Sequence, residues 1–450
     1  KRQVYTRSIG HSIHQLLTIE DKNITFNENV ILPTVTIKDK TYRQLSGQLS
    51  YTPSCCEKCG VQNHHHTVIK YGFKTTRLLL GDVNFSPLLL QLKKQRFLCK
   101  ECGETFIART SLVDKNCHIS HIVKRKIMAL LTTEIAMTNI AKQTFVSPHT
   151  VIRVLRQAEQ KLMHTRRLGE TICIDEFKSV KHCDGKMSFI FCDGDTHEIL
   201  DIVENRQQRY LMDYFLKYDR QERLNVKFVV MDMFKPYVEV IKTCFPNAKV
   251  IIDKFHVVQH LNRSLNRLRV ETMNTYRYSR PTDYRKLKQL WKLVLKNREC
   301  LDIDRFESHR LFDGLMTEKM IVDYLVNLSP ELSKAYHTIN DLKYDISTND
   351  AQQLIEDLEA SKLYSLRRYV RTSLNTLTYY LEGISLSLSY NYTNGPLEGL
   401  NNRIKNIKRS GYGYRNFYNL RARILIVNRL FKNKKTDGKE QSLPSADIVA

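Results

Sequence analysis

A multidomain α/β fold is predicted for this chain, with a cysteine-bound metal module and a basic helical segment ahead of an α/β core that an all-α insertion interrupts. Three observations predict it. Apolar runs that end in aspartate, Thr171-Ile172-Cys173-Ile174-Asp175, Phe228-Val229-Val230-Met231-Asp232 and Val250-Ile251-Ile252-Asp253, read as buried parallel-type strands delivering carboxylates to one sheet edge. Two C-x-x-C-G knuckles, Cys56-Glu57-Lys58-Cys59-Gly60 and Cys99-Lys100-Glu101-Cys102-Gly103, precede those strands. From about 256 to 390, Leu, Tyr and Ile recur at three- and four-residue spacing, a helical period that breaks the strand pattern.

The 450 residues leave room for several domains. Lys and Arg number 71 against 47 Asp and Glu, a formal net charge of +24, and an excess of this size calls for a polyanionic partner, above all nucleic acid. No run reaches the ~18 consecutive apolar residues of a membrane span, and the first eight residues are too polar for a signal peptide. The 11 cysteines include the two C-x-x-C pairs, which outside a secreted chain indicate metal rather than disulfides, so a reducing cytoplasmic setting is expected.

In chain order, residues 1–48 hold a β-prone stretch around Val30-Ile31-Leu32 and no readable chemistry. Residues 49–110 form the cysteine module, with Cys56, Cys59, Cys99 and Cys102 as a complete ligand set for one structural Zn²⁺ in a zinc ribbon. Cys55 is a neighbour of that site, and His64-His65-His66 are not needed once four thiolates are in place.

Residues 111–167 form a basic helical segment, and from Lys115 to Arg167 there are ten Lys/Arg and two acids, a balance suited to phosphate contacts. Within them Asn139-Ile140-Ala141-Lys142-Gln143 ends one helix, and Ser147 caps the next with Pro148 at its first position, a helix-turn-helix. Val151, Val154 and Leu155 make the inner face, leaving His149, Thr150 and Arg153 to enter a DNA groove.

The α/β core spans 168–255 and 391–434, interrupted by the helical insertion at 256–390, where Trp291 is expected in the core. A hairpin turns at Asp193-Gly194-Asp195, helices follow near 207–217 and 236–244, and 435–450 is a polar, disordered tail. A sheet that opens with a hairpin and then a helix places the strands of Asp175 and Asp232 side by side, which is the ribonuclease-H-like arrangement. The third carboxylate falls to Glu398, at the start of a helix whose stripe is Leu397, Leu400, Ile404 and Ile407. Asn402, Lys405 and Arg409 share the face of Glu398. From Arg403 to Lys435 there are eleven Lys/Arg, Lys408 among them, and no acids, which extends a phosphate-binding surface. Asp253 ends a strand too, but one place further out, and His256 lies close enough to the site to take either a functional or a capping role.

From the zinc ribbon to about residue 434 the chain resembles the bacterial insertion-sequence transposases of the ISL-three type, a branch of the DDE superfamily. The likeness rests on the knuckles, the Ile140-Ala141…Ser147…Thr150-Val151 pattern, Ile174-Asp175-Glu176-Phe177, Val230-Met231-Asp232-Met233, Phe245-Pro246-Asn247-Ala248, Asp253-Lys254-Phe255-His256-Val257 and Glu398-Gly399-Leu400-Asn401-Asn402. Lys254 stands where the family more often has Arg. The resemblance implies a catalytic triad of Asp175, Asp232 and Glu398 holding Mg²⁺ or Mn²⁺, end cleavage and strand transfer. It also implies recognition of double-stranded DNA at terminal inverted repeats, a homodimer, and a bacterial, nucleoid-associated location. The rival readings are a non-catalytic DNA-binding regulator and a metal-dependent nuclease without strand transfer.

Overall fold

A computed structural model describes residues 10–27, 29–162, 167–183, 185–390 and 392–432; the tail expected at 435–450 lies outside them. Two compact units emerge. The first combines the residues before 165 with those after 403, and the second runs from 165 to 403. Residues 404–432, expected with the catalytic core, therefore belong to the first unit.

A six-stranded sheet opens the first unit: β1 (Ile24–Thr25), β2 (Ile31–Ile37), β3 (Lys40–Leu49), β4 (Val68–Val83), β5 (Ser86–Cys99) and β6 (Thr105–Ile107). The order is β1-β3-β5-β4, with β2 on β3 and β6 on β5. Because β3 runs parallel to β5, with Leu45 opposite Leu90, the boundary expected at 48–49 falls inside one sheet. Leu49, Leu78, Leu90, Leu92 and Phe97 fill its core.

Helices His121–Leu131, Met137–Gln143 and Pro148–Leu162 follow. Ser120 caps the first by accepting the Val123 N–H, as its short hydroxyl can. The Pro148 helix begins as expected, with the Thr150 N–H donating to Ser147 Oγ. Its apolar side, Val151, Val154 and Leu155, meets Ile127, Ile140, and also Ala422 and Ile426 from the helix Phe417–Lys432. That last helix is buried at every position from 420 to 427, so it needs partners on all sides, and the first unit supplies them.

In the second unit, β7 (Thr171–Lys178), β8 (Met187–Asp193), β9 (Ile199–Val203), β10 (Phe228–Met231) and β11 (Lys249–Ile252) form a sheet in the order β11-β10-β7-β8-β9. β7 to β9 are antiparallel neighbours, whereas β10 and β11 run parallel to β7. Helices run from Lys254–Thr275 to Leu381–Ser389, with a short strand pair at Glu307–Ser308 and Leu315–Met316 interrupting the expected helical run. One apolar core joins sheet and helices, from Phe191 and Ile252 through Leu265 and Leu342 to Ile384. Gly383 allows its helix a close approach to the sheet: a Cβ there would stand 3.0 Å from the Val250 carbonyl oxygen of β11. Trp291 is 40% exposed, not core, because it opens a short helix at the rim of this cluster. No helix among the described residues is long and apolar enough to cross a membrane.

Candidate functional site

Both cysteine knuckles close on a glycine in the left-handed region, Gly60 at φ +79° and Gly103 at φ +69°. Their N–H groups donate to the carbonyls of Cys56 at 3.0 Å and Cys99 at 2.9 Å. A side chain would strain that turn, and glycine does not. The Lys58 N–H points at Cys56 Sγ, 3.3 Å away. Burial works against the Cys56 thiolate, but the backbone amides of Cys59 and Lys58 outweigh it and bring the pKa down to about 7. Sulfur pairs from opposite knuckles, Cys56 with Cys102 and Cys59 with Cys99, stand 3.8 Å apart. A tetrahedron with metal–sulfur bonds of ~2.3 Å has edges of ~3.8 Å, so the four thiols fit one Zn²⁺.

The carboxylates meet at the edge of the second sheet. Val230 of β10 lies opposite Cys173 of β7, so two residues further Asp232, just past the end of β10, stands beside Asp175. The strand expected to end at Asp175 runs on to Lys178, because β8 continues to pair with it. Met231 lies opposite Ile252, which brings Asp253 beside Asp232 on the other flank. Asp232, Asp253 and His256 offer ligand atoms that all fall within 4.8 Å of one another. His256 Nδ1 is 2.7 Å from Asp232 Oδ1 and 2.9 Å from Asp253 Oδ2. Those two carboxylates hold the imidazole protonated, with its pKa pushed up to about 10. The better-aligned hydrogen bond goes to Asp253, and Asp232 Oδ1 has the ion pair with His256 as its contact. Carboxylate oxygens and an imidazole gathered this closely are donor types that a hard cation can share.

Asp175 accepts the Glu176 N–H at 2.7 Å and the side-chain amide of Asn401 at 2.6 Å. Burial lifts its pKa to about 6, the Glu176 amide opposes the rise, and the charge of Asp232 adds to it. Glu176 points away as strand alternation requires, to Arg206 and to the Tyr237 hydroxyl at 2.9 Å.

A short strap leads into the helix Gly395–Ser410. The Thr393 hydroxyl and the Asn394 N–H donate to Asp253 Oδ1, at 3.1 and 3.4 Å. The Asn394 amide donates to the Ile174 carbonyl at 3.0 Å. Glu398 follows in the first turn, exposed, one turn before Asn401. The structure thus ties the Glu398 helix to Asp175 through Asn401, and it groups Asp232 with Asp253 and His256, not with Glu398.

The family of transposases of the DDE ISL-three type matches residues 172–424, more than half of the chain. The chain belongs to that family. The transposase for insertion sequence element IS1001 of Bordetella parapertussis is 25% identical over 366 residues, covering 80% of this chain and 85% of the relative. A protein named ATP-dependent protease from Lactococcus lactis subsp. lactis is 40% identical over 111 residues, 25% of this chain and 35% of the relative, too small a share to carry that name across.

In this transposase the residues expected at DNA divide into outward and inward sets. His149 and Arg153 are exposed, but Thr150 is buried, its hydroxyl 3.1 Å from that of the capping Ser147. Asn402, Lys405 and Arg409 are exposed and Lys408 is half-buried. The basic run after Arg403 is not all surface. Arg421 pairs with Glu159, and Arg423, 1% exposed, donates to the carbonyls of Thr133 at 2.7 Å and Ile135 at 2.8 Å. Sequence reasoning missed the Asn401 contact and the strap. The spacing Asp253-x-x-His256 at a helix start was the one available signal for the acid–imidazole pair.

Proposed function

We propose that this chain is the transposase of an insertion sequence, which binds the element's terminal inverted repeats and carries out metal-dependent DNA cleavage and strand transfer. In this reading the sheet β7–β11 is a ribonuclease-H-like core with an all-α insertion. The cysteine site is a structural zinc ribbon, and the Met137–Gln143 and Pro148–Leu162 helices form a helix-turn-helix whose His149 and Arg153 reach into a groove. The observation that carries it is the register that sets Asp175 beside Asp232 while Asn401, from the helix of Glu398, bonds Asp175.

Asp175, Asp232 and Glu398 would hold Mg²⁺ or Mn²⁺, and the register that sets the Asp175 and Asp232 carboxylates side by side supports that fit. When bound, such a cation activates water and stabilises the charge developing on phosphate oxygens. The protein's own groups do the rest. Asp175 must be ionised, which its pKa near 6 provides at neutral pH. Asn401 fixes its carboxylate, Thr393 and Asn394 fix Asp253, and Asp253 orients His256 against Asp232. Lys405 and Arg409 meet backbone phosphates. Hydrolysis at the element end frees a 3′-hydroxyl, and that hydroxyl then displaces the 3′-oxygen of a target phosphodiester, so no covalent protein–DNA bond is needed. Two ends must be cut and joined together, which favours a homodimer working on the bacterial nucleoid.

The test is a strand-transfer assay on element-end DNA with Mg²⁺ or Mn²⁺. Joined products support the proposal, free cut ends alone indicate a nuclease, and binding without cutting indicates a regulator.

A further inference from the structure

The helix Gly395–Ser410 ends in a turn closed by two hydrogen bonds, from the Gly413 N–H to the Lys408 carbonyl at 2.8 Å and from the Tyr412 N–H to the Arg409 carbonyl at 3.0 Å. That pair is the Schellman arrangement, and it puts the residue after the cap in the left-handed region, where glycine is the usual occupant. Here the occupant is Tyr412, at φ +52° and 92% exposed. Glycines stand on both sides of it. Gly413 is itself left-handed at φ +86°, and Gly411 is required by packing, since a Cβ there would lie 2.7 Å from the Tyr414 ring. Tyr414 is the anchor: it lies under Gly411, and burial pushes its hydroxyl pKa up. Tyr412 anchors nothing. An L-residue in this conformation costs stability, and an aromatic ring held in water gains none back from burial.

The sequence around it is strongly basic. Lys405, Arg409 and Arg415 are exposed near it in sequence, Lys408 is half-buried, and no acid occurs between Arg403 and Lys435. An aromatic face among cations is the composition of a single-strand platform, where bases stack on the ring and phosphates meet the charges. We infer that Tyr412 stacks on an unpaired base of a DNA strand that is separated from its complement. The inference rests on the DNA-transposase reading and adds to it a positioning residue on the turn that closes the Glu398 helix.

The test uses the full chain, an oligothymidylate of about 20 nucleotides and a duplex of equal length, read by fluorescence anisotropy. Tyr412→Gly relieves the left-handed strain, so its melting temperature stays at or above that of the wild type. Its affinity for the oligothymidylate falls between about five- and a hundred-fold, the range of one lost stack, while duplex binding changes less than about two-fold. Tyr412→Phe keeps the ring and binds both probes as the wild type does. Equal binding of the oligothymidylate by wild type and Tyr412→Gly overturns the inference, as does an equal loss on both probes. Failure of the wild type to bind either probe refutes the DNA reading itself, before Tyr412 is in question.

Discussion

The cysteine site and the carboxylate site are both candidate metal centres, yet they are built in opposite ways. Two knuckles supply all four thiols, each knuckle carries its own turn glycine and its own amide-to-sulfur bonding, and β5 delivers Cys99 straight into the second one. Each half is therefore set by some five consecutive residues. The carboxylate site draws Asp175, Asp232, Asp253 with His256, and the strap at Thr393 from four separated stretches, and three of its charges are of one sign. Four thiolates on one ion would leave no position at the cysteine site for water or substrate. The carboxylate site brings acids from neighbouring strands together, and one of them is a carboxylic acid whose pKa is near 6. Stability is concentrated in the local, saturated site, and reactivity in the assembled, unsaturated one.

That contrast can be broken most decisively at the acids. Asp175→Asn or Asp232→Asn removes all measurable end cleavage while binding to the element's ends stays within about two-fold of wild type, as gel shift and cleavage assays on the same preparation would show. Cleavage by Asp175→Asn sinks the assignment. Glu398→Gln also eliminates cleavage and strand transfer, whereas Asp253→Asn leaves measurable activity, because Asp253 works through His256. The reverse result moves the third carboxylate to Asp253 and leaves the Gly395 helix to DNA binding alone.

At the cysteine site the expected damage is to folding. Cys99→Ser with Cys102→Ser releases one Zn²⁺ and unfolds the knuckles, since structural zinc contributes ~10 kcal/mol or more to such modules. Elemental analysis that finds no zinc in the wild-type protein removes the site. A smaller effect separates the two centres by pH. Asp175 has its folded pKa raised from 3.8 to about 6, so its contribution to metal-free stability is fully present below pH 3.8 and lost as pH rises through 6. Asp175→Asn should therefore stabilise the metal-free chain at pH 7.5 by on the order of 2 kcal/mol relative to its effect at pH 4. Equal melting shifts at both pH values contradict this. Smallest is Arg153→Ala, which weakens end binding by ~1–3 kcal/mol if Arg153 reads a base edge and affects random DNA equally if it meets phosphate. No change on either DNA takes Arg153 out of the interface.

How far each part could be read from sequence follows from the same difference. C-x-x-C-G names its turn, its ligands and its glycine conformation within five residues. The strands were legible from their apolar runs, and β10 and β11 do end just before an aspartate, but β7 runs past Asp175 to Lys178 because the antiparallel β8 goes on pairing with it. Their neighbours were legible because a hairpin and a helix admit few routes back to the sheet. Thr150 was misplaced because position within a helix gives a face only to within a residue, and a hydroxyl that bonds its own cap turns inward. Arg421 and Arg423 looked like surface cations because charge density says nothing about a buried Glu159 or two carbonyls waiting across the core. The contact between Asn401 and Asp175 joins residues 226 positions apart, and no local pattern marks it.

The discontinuity of the first unit has a consequence for synthesis. The chain leaves that unit at residue 164 and returns at 404, some 240 residues later. At roughly 5–20 residues per second, a ribosome needs ~10–50 seconds to cover that interval. Until then the Pro148 helix lacks Ala422 and Ile426 against its inner face, Glu159 has no Arg421, and the carbonyls of Thr133 and Ile135 have no guanidinium. A prematurely terminated product carries the same gap permanently. Return of the chain to the first unit therefore acts as a quality check, because the helix expected to read DNA gains Ala422, Ile426 and Arg421 only then.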